Sequence, residues 1–204
     1  MKLGIISGSH RKQSQSRKVG EYLKYLLEKK SNEEISVFFM DLAEENIPLW
    51  SEEKWSENSE LSSLWEPYSK ELSSCEGFII ISPEWGGMVT PALKNFFLMC
   101  DRHELAHKPA IPVSISAGIN GAYPISEIRM SSYKNNMVAF TPNHIIVRFV
   151  NSVLNNYDEI ENENDEKIKE RIDYEIDIFI EYVKAYRSIR ENCNFNYSRY
   201  PFGM

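Results

Sequence analysis

Residues 103–107 read HELAH and match the pattern H-E-x-x-H. Two imidazoles four residues apart on one helix can hold zinc, and the glutamate between them can serve as general base. That chemistry needs all five residues on a single helix facing a cleft. Lys108-Pro109 follows directly, and a proline disfavours helix at the residue before it. The segment is therefore expected at the carboxyl end of a helix opened by Thr90-Pro91, near the amino end of a strand. His103 and His107 then lie where a helix end favours cations. His10 and His144 have no helical zinc-ligand spacing. A zinc peptidase is disfavoured, and no metal-ligating residue is assigned.

Three other segments could build a site together. The first is Ser7-Gly8-Ser9-His10-Arg11-Lys12-Gln13-Ser14-Gln15-Ser16. It offers hydroxyls, a guanidinium and the free N–H groups of a helix start, which suit a terminal phosphate. It is neither G-x-G-x-x-G nor a P-loop. The second is Ser82-Pro83-Glu84-Trp85-Gly86-Gly87-Met88-Val89-Thr90. Its paired glycines let backbone approach a flat ligand, and Trp85 adds an aromatic face. The third is Ser116-Ala117-Gly118-Ile119-Asn120-Gly121-Ala122, whose N–H groups could meet a polar ring edge. Each has a plainer reading alone: a capped polar loop, a packing tryptophan, a turn. Together they match a ligand with a phosphate at one end and a flat, polar-edged ring at the other, the layout of flavin mononucleotide (FMN).

These loops need elements to converge. Apolar runs at Lys2–Ser7, Ile35–Met40, Gly77–Ser82, Ala110–Ser116 and His144–Val150 read as strands. Helical spacing marks Arg17–Lys30, Leu61–Cys75, the stretch after Thr90-Pro91, Ser126–Met137 and Asp165–Ile189. Asp41–Pro67 reads as largely irregular, and Asn155–Glu166 as a solvated acidic loop. Fully apolar strands alternating with helices predict a doubly wound parallel sheet. Such sheets bind ligands beyond the carboxyl ends of their strands, where all three loops begin. One domain over residues 1–191 is expected, followed by an aromatic tail at 192–204. Phe195, Tyr197, Tyr200 and Phe202 of that tail are expected to pack on a neighbouring subunit.

Bulk properties exclude several classes. A net charge of −7 and a pI near 5.3 argue against nucleic acid and anionic membrane as partners. No apolar run has transmembrane length, and the N-terminal run is too short for a signal peptide. Cys75, Cys100 and Cys193 form no C-x-x-C, which fits the reducing cytoplasm.

The sequence resembles the NADPH-dependent FMN reductases of the flavodoxin-like superfamily over about residues 1 to 155. Gly8, Ser9, Arg11 and Ser14 match the family's phosphate loop, with Ser16 in place of an asparagine. Pro83 and Glu84, then Leu93, Lys94 and Asn95, match its flavin loop in register; Trp85 stands for tyrosine and Gly86 for asparagine. Ala117 and Ala122 replace the outer glycines of the third loop. Asp41-Leu42 and Ile47-Pro48-Leu49 resemble the segment after the family's second strand. The resemblance implies a flavodoxin-like five-stranded sheet in the order 2-1-3-4-5. It implies FMN as cofactor and NADPH or NADH as co-substrate, with electrons passed to a flavin, quinone, azo dye, metal oxyanion or similar small acceptor. It also implies a homodimer or homotetramer. The phosphate would lie on Ser9, Arg11, Ser14, Gln15 and Ser16. Pro83, Glu84, Trp85 and Gly86 would contact the ring, and the Ala117–Gly118 backbone its polar edge. No residue is nominated as a proton donor. A flavodoxin-type electron carrier, and a chain that lost FMN and became an interaction module, remain alternatives.

Overall fold

The computed structural model describes residues 1–30, 35–56 and 58–202. β1 (Lys2–Ser7) runs through the middle of the sheet, parallel to β2 (Ser36–Asp41) on one side and β3 (Gly77–Pro83) on the other. β4 (Pro109–Ile115) pairs in parallel with β3. With β5 at Ala139–Phe140, the order β2-β1-β3-β4-β5 is the one expected. Every residue of β4, and all of β3 but Pro83, is buried. Such strands read as unbroken apolar runs because helices cover both faces.

The far edge differs from the expected single strand at His144–Val150. It carries two short strands, β5 (Ala139–Phe140) against Pro109–Ala110 and β6 (Ile145–Val147) against Val113–Ile115. Pro142 cannot donate to a ladder. The Arg129 guanidinium takes the carbonyls of Thr141, Pro142 and Asn143 at 2.8, 2.6 and 3.0 Å. Two residues after β6, Phe149 turns to φ 48°, which ends extended backbone.

Side chains of successive strand residues point to opposite faces. Leu3, Ile5, Ile79, Ile81, Ile111 and Val113 meet α1 (Gln15–Lys29) and α6 (Glu163–Asn192) in one core. Ile6, Met40, Phe78 and Ile80 meet the helices on the other face: α2 (Glu60–Ser74), α3 (Pro91–Met99) and α5 (Ala122–Ser131). The sequence placed this last helix at Ser126–Met137. It starts earlier because Pro124 sits in its first turn, where a missing N–H costs little, and the chain after it bends through Met137 at φ 57°.

α3 stops at Met99, and a separate turn of helix, α4 (Arg102–Leu105), follows. HELAH is therefore not the tail of the helix that Thr90-Pro91 opens. Asp101 restarts the chain with a capping box: its carboxylate accepts from the His103 amide at 2.7 Å, while Glu104 accepts from the Asp101 amide at 2.8 Å. Beyond α6, Phe195 stacks on His107 of the same chain at 4.0 Å and Tyr197 lies next to it at 5.8 Å. These two rings thus have a partner within the chain, whereas Tyr200 and Phe202 stay exposed. No helix among the described residues is long and apolar enough to cross a membrane.

Candidate functional site

The first loop leaves the carboxyl end of β1 and is fixed to the next strand at once. The Gly8 amide donates to the Ile81 carbonyl at 2.8 Å, and the Thr90 hydroxyl donates to the Gly8 carbonyl. A Cβ on Gly8 would stand 2.4 Å from that same Ile81 oxygen, so only glycine lets the loop pass so close to β3. Ser14 then caps α1, accepting from the Arg17 amide at 3.1 Å. The amides of Gln15 and Ser16 belong to the first turn, whose N–H groups have no acceptor within the helix. The Ser16 hydroxyl is buried, 1% exposed, and has no hydrogen-bond partner among the described residues. A buried polar atom left in this state costs stability unless something completes it.

The second loop leaves β3. Trp85 and Met88 exchange backbone hydrogen bonds of 3.1 and 3.0 Å across Gly86 and Gly87, at φ 58° and 77°. Both central residues of this tight turn are left-handed, which glycine adopts freely. The turn is held from behind by the Val89 amide, which donates to Glu127 at 2.7 Å. Burial works against the Glu127 charge. The Val89 amide and the Lys94 ammonium, 2.9 Å away, outweigh it and hold the carboxyl below its ordinary value. Thr90 caps α3 with Pro91 behind it.

The third loop leaves β4 and is tied to the second. Glu84 accepts from the Gly121 amide at 2.7 Å, and its own amide donates to Ile115 at 2.9 Å. Gly121 sits at φ 107°, and a Cβ there would come within 2.7 Å of Ile146. The Gly118 amide donates to the Ser116 hydroxyl at 3.2 Å. From outside, Arg148 donates to the carbonyls of Ile119 and Asn120 at 2.5 and 3.1 Å.

The three loops enclose one cleft of about 400 Å³, within the size range of small-ligand sites. Ser9, Arg11, Ser14, Gln15, Ser16, Pro83, Glu84, Trp85, Gly86 and Ala117 all line it; of the residues expected there, Gly118 alone does not. Gln13, Ile115 and Val150 line it as well. Ile115 is the last residue of β4, so its strand position was a usable signal. Val150 closes the strand expected at His144–Val150, so its position was a signal of the same kind. It is drawn in when Lys18 reaches across from α1 to its carbonyl at 2.5 Å. Arg11 lies over the Trp85 ring at 4.6 Å, and His10 meets the same ring edge-on at 4.7 Å. The first two loops therefore touch through these side chains, and one indole face carries the guanidinium. Leu93 is a core residue. Asn95 grips the segment after β2, accepting from the Trp50 amide and donating to the Pro48 carbonyl, both at 2.8 Å.

This donor set fits FMN at its phosphate end. An anion at the start of α1 would meet unclaimed amides, the positive end of a 15-residue helix and the unpartnered Ser16 hydroxyl. The other side of the cleft is formed by the second loop up to Gly86 and by Ala117 of the third.

HELAH lies elsewhere. Glu104 is 1% exposed, and besides capping α4 it accepts from the Trp65 indole at 3.0 Å. Burial pushes its carboxyl above the usual range, and the neighbouring Asp101 charge adds to the shift. His107 falls after the helix at φ 55°, stacked on Phe195. Burial, with Arg190 nearby, lowers its basicity. The two imidazoles thus share no helical face, and the glutamate is committed to structure. Glu104→Ala is expected to lower stability by about 2 kcal/mol through the lost cap and the orphaned indole, read by urea unfolding. An equal loss produced in the parent by a chelator would return the segment to metal binding.

The family model for NADPH-dependent FMN reductases matches residues 1–151. An NADPH azoreductase of Bacillus sp. (strain OY1-2) is 27% identical over 121 residues, which cover 59% of this chain. The matched region spans 62% of that relative's length. Among solved structures, the chain is similar to FerB, a flavoenzyme NAD(P)H:(acceptor) oxidoreductase of Paracoccus denitrificans. The TM-score is 0.69 at 16% identity, over 91% of this chain and 98% of that one. It is also similar to the apo form of an NADH:FMN oxidoreductase, EmoB, with a TM-score of 0.62 at 16% identity over 87% of each chain. Likeness at such identity shows a shared fold.

Proposed function

The chain belongs to the NADPH-dependent FMN reductase family, and on that premise we propose that its cleft holds FMN and serves reduction of a small acceptor by NADPH or NADH. Bound there, FMN would take hydride from the nicotinamide and pass electrons to the acceptor. The observation that carries this reading is the buried, unpartnered Ser16 hydroxyl beside the open amides of α1, inside a cleft walled by the other two loops.

The chain's own residues bind and orient. Ser9, Ser14, Gln15 and Ser16 surround the phosphate, and Arg11 reaches it by leaving the face of Trp85 or bridges the two. Pro83, Glu84, Trp85 and Gly86 flank the ring, with Gly86 open towards it: a Cβ there would touch Met88 alone, at 3.6 Å. Because the Gly118 amide is already given to Ser116, the Ala117 amide is assigned to the polar ring edge. The glutamate at 84 keeps that loop in place through Gly121.

A free flavin, a quinone or an azo dye is the proposed acceptor. The azo dye is supported by the similarity to an NADPH azoreductase, and the general class by the fold shared with an NAD(P)H:(acceptor) oxidoreductase. A homodimer or homotetramer in the cytoplasm completes the reading. It is supported by the exposed Met88, Tyr123 and Met130 around the second loop and α5, and by three free cysteines.

Anaerobic stopped-flow mixing of the FMN-loaded protein with NADPH, and separately with NADH, tests this reading. At least one should bleach the flavin absorbance, and a quinone or azo dye should restore it. If FMN binds but neither nicotinamide bleaches it, the protein is an electron carrier and the reductase assignment fails.

A further inference from the structure

A second, larger cavity of about 770 Å³ shares no lining residue with the flavin cleft. Its walls come from the later half of α3, the start of α4, the end of α5 and the residues after it, the short turn at Glu52–Trp55, and Pro201 and Phe202 of the tail. α3 starts beside the cleft at Thr90, which is bonded to Gly8, and runs away from it. The cavity therefore lies towards the opposite end of the sheet.

The lining has a definite chemistry. Trp50 and Trp55 stand edge to face at 5.2 Å, with Phe97 also in the wall. Trp50 is anchored through its amide to Asn95, whereas Trp55, packed edge to face on Trp50, is 74% exposed. Lys54, Arg102 and Lys134 line the same cavity. Among the described residues, no ion pair claims any of the three; Arg102 faces only the Tyr197 ring, at 5.7 Å. The Asp101 carboxylate in the same wall is committed to capping α4. The fourth cation, Lys94, is already paired with Glu127. Three cations outside any carboxylate pairing among the described residues, in one cavity with two indoles, stand out in a chain of net charge −7.

We propose that this cavity binds a planar aromatic anion, such as an aryl sulfonate or aryl carboxylate. The ring would lie against Trp50 and Trp55, and its charge would meet Lys54, Arg102 and Lys134. The site goes beyond the reductase reading and does not depend on it, because the two cavities are separate.

Calorimetric titration of naphthalenesulfonate into the full chain, with and without excess FMN, tests it. One site is expected, indifferent to FMN. Trp55→Ala and the Lys54→Gln/Arg102→Gln pair should each weaken binding roughly tenfold, as should replacing the ligand by uncharged naphthol. Lys134→Gln, at an exposed position, gives a variant with no folding demand, and the urea midpoint checks the others. Displacement of the probe by FMN would move it to the flavin cleft and overturn the proposal. So would equal affinity in all variants. Sedimentation as a dimer that Trp55→Ala dissociates would assign the indoles to a second copy of the chain instead.

Discussion

Gly8→Ala is expected to cost roughly 2–4 kcal/mol of stability and to lower FMN affinity by at least about tenfold. The added methyl would stand 2.4 Å from the Ile81 carbonyl and 3.0 Å from Leu93. The carbonyl belongs to β3, inside the sheet, and cannot yield cheaply. The loop must swing out instead. It then strains the Gly8 bond to Ile81 and the Thr90 bond to Gly8, and carries Ser9 to Ser16 away from the rest of the cleft. Flavin fluorescence quenching on titration reads the affinity, and urea unfolding reads the stability. An unchanged affinity would remove the first loop from the cofactor site, even if the fold were weakened.

Ser16→Ala should separate binding from stability by moving them in opposite directions. In the free protein the Ser16 hydroxyl is buried with no partner. Replacing it by a methyl relieves an unsatisfied polar group, so urea stability without FMN should hold or rise slightly. With FMN bound, the same hydroxyl would donate to a dianionic phosphate, a charge-assisted bond worth about 1.5–3 kcal/mol. The variant should therefore bind FMN roughly ten- to a hundredfold more weakly. A merely structural serine would give the reverse, lower stability with affinity intact. That result would place the phosphate elsewhere.

Much of the fold was legible because its signals are local. Each buried strand is an apolar run, α1 and α6 carry an apolar stripe, and Ser14 and Thr90 cap the helices they precede. The three loops could be nominated from residue type alone. Gly8, Gly86 and Gly87 report backbone needs, and the Ser14–Ser16 stretch reports a helix start. Where local signals conflict, the expectation slipped. The far edge strand broke in two because Arg129, on another element, claims three carbonyls there. HELAH matches a motif one-dimensionally, yet Asp101 begins a new helix and Glu104 turns inward to Trp65, 39 residues away in the chain.

By itself the sequence determined the sheet order through family resemblance, the three cleft loops and ten of the residues that line the cleft. Dihedral preferences, side-chain period and capping chemistry are properties of a residue and its near neighbours, so they survive in one dimension. Only the tertiary structure decided that Glu84 locks loop two to loop three, that Arg11 rests on Trp85, that Val150 joins the cleft through Lys18, and that Ser16 is left without a partner. Only it gathers Trp50, Trp55 and three cations around a second cavity. These are contacts between segments far apart in the chain, and whether a polar atom is satisfied depends on everything packed around it.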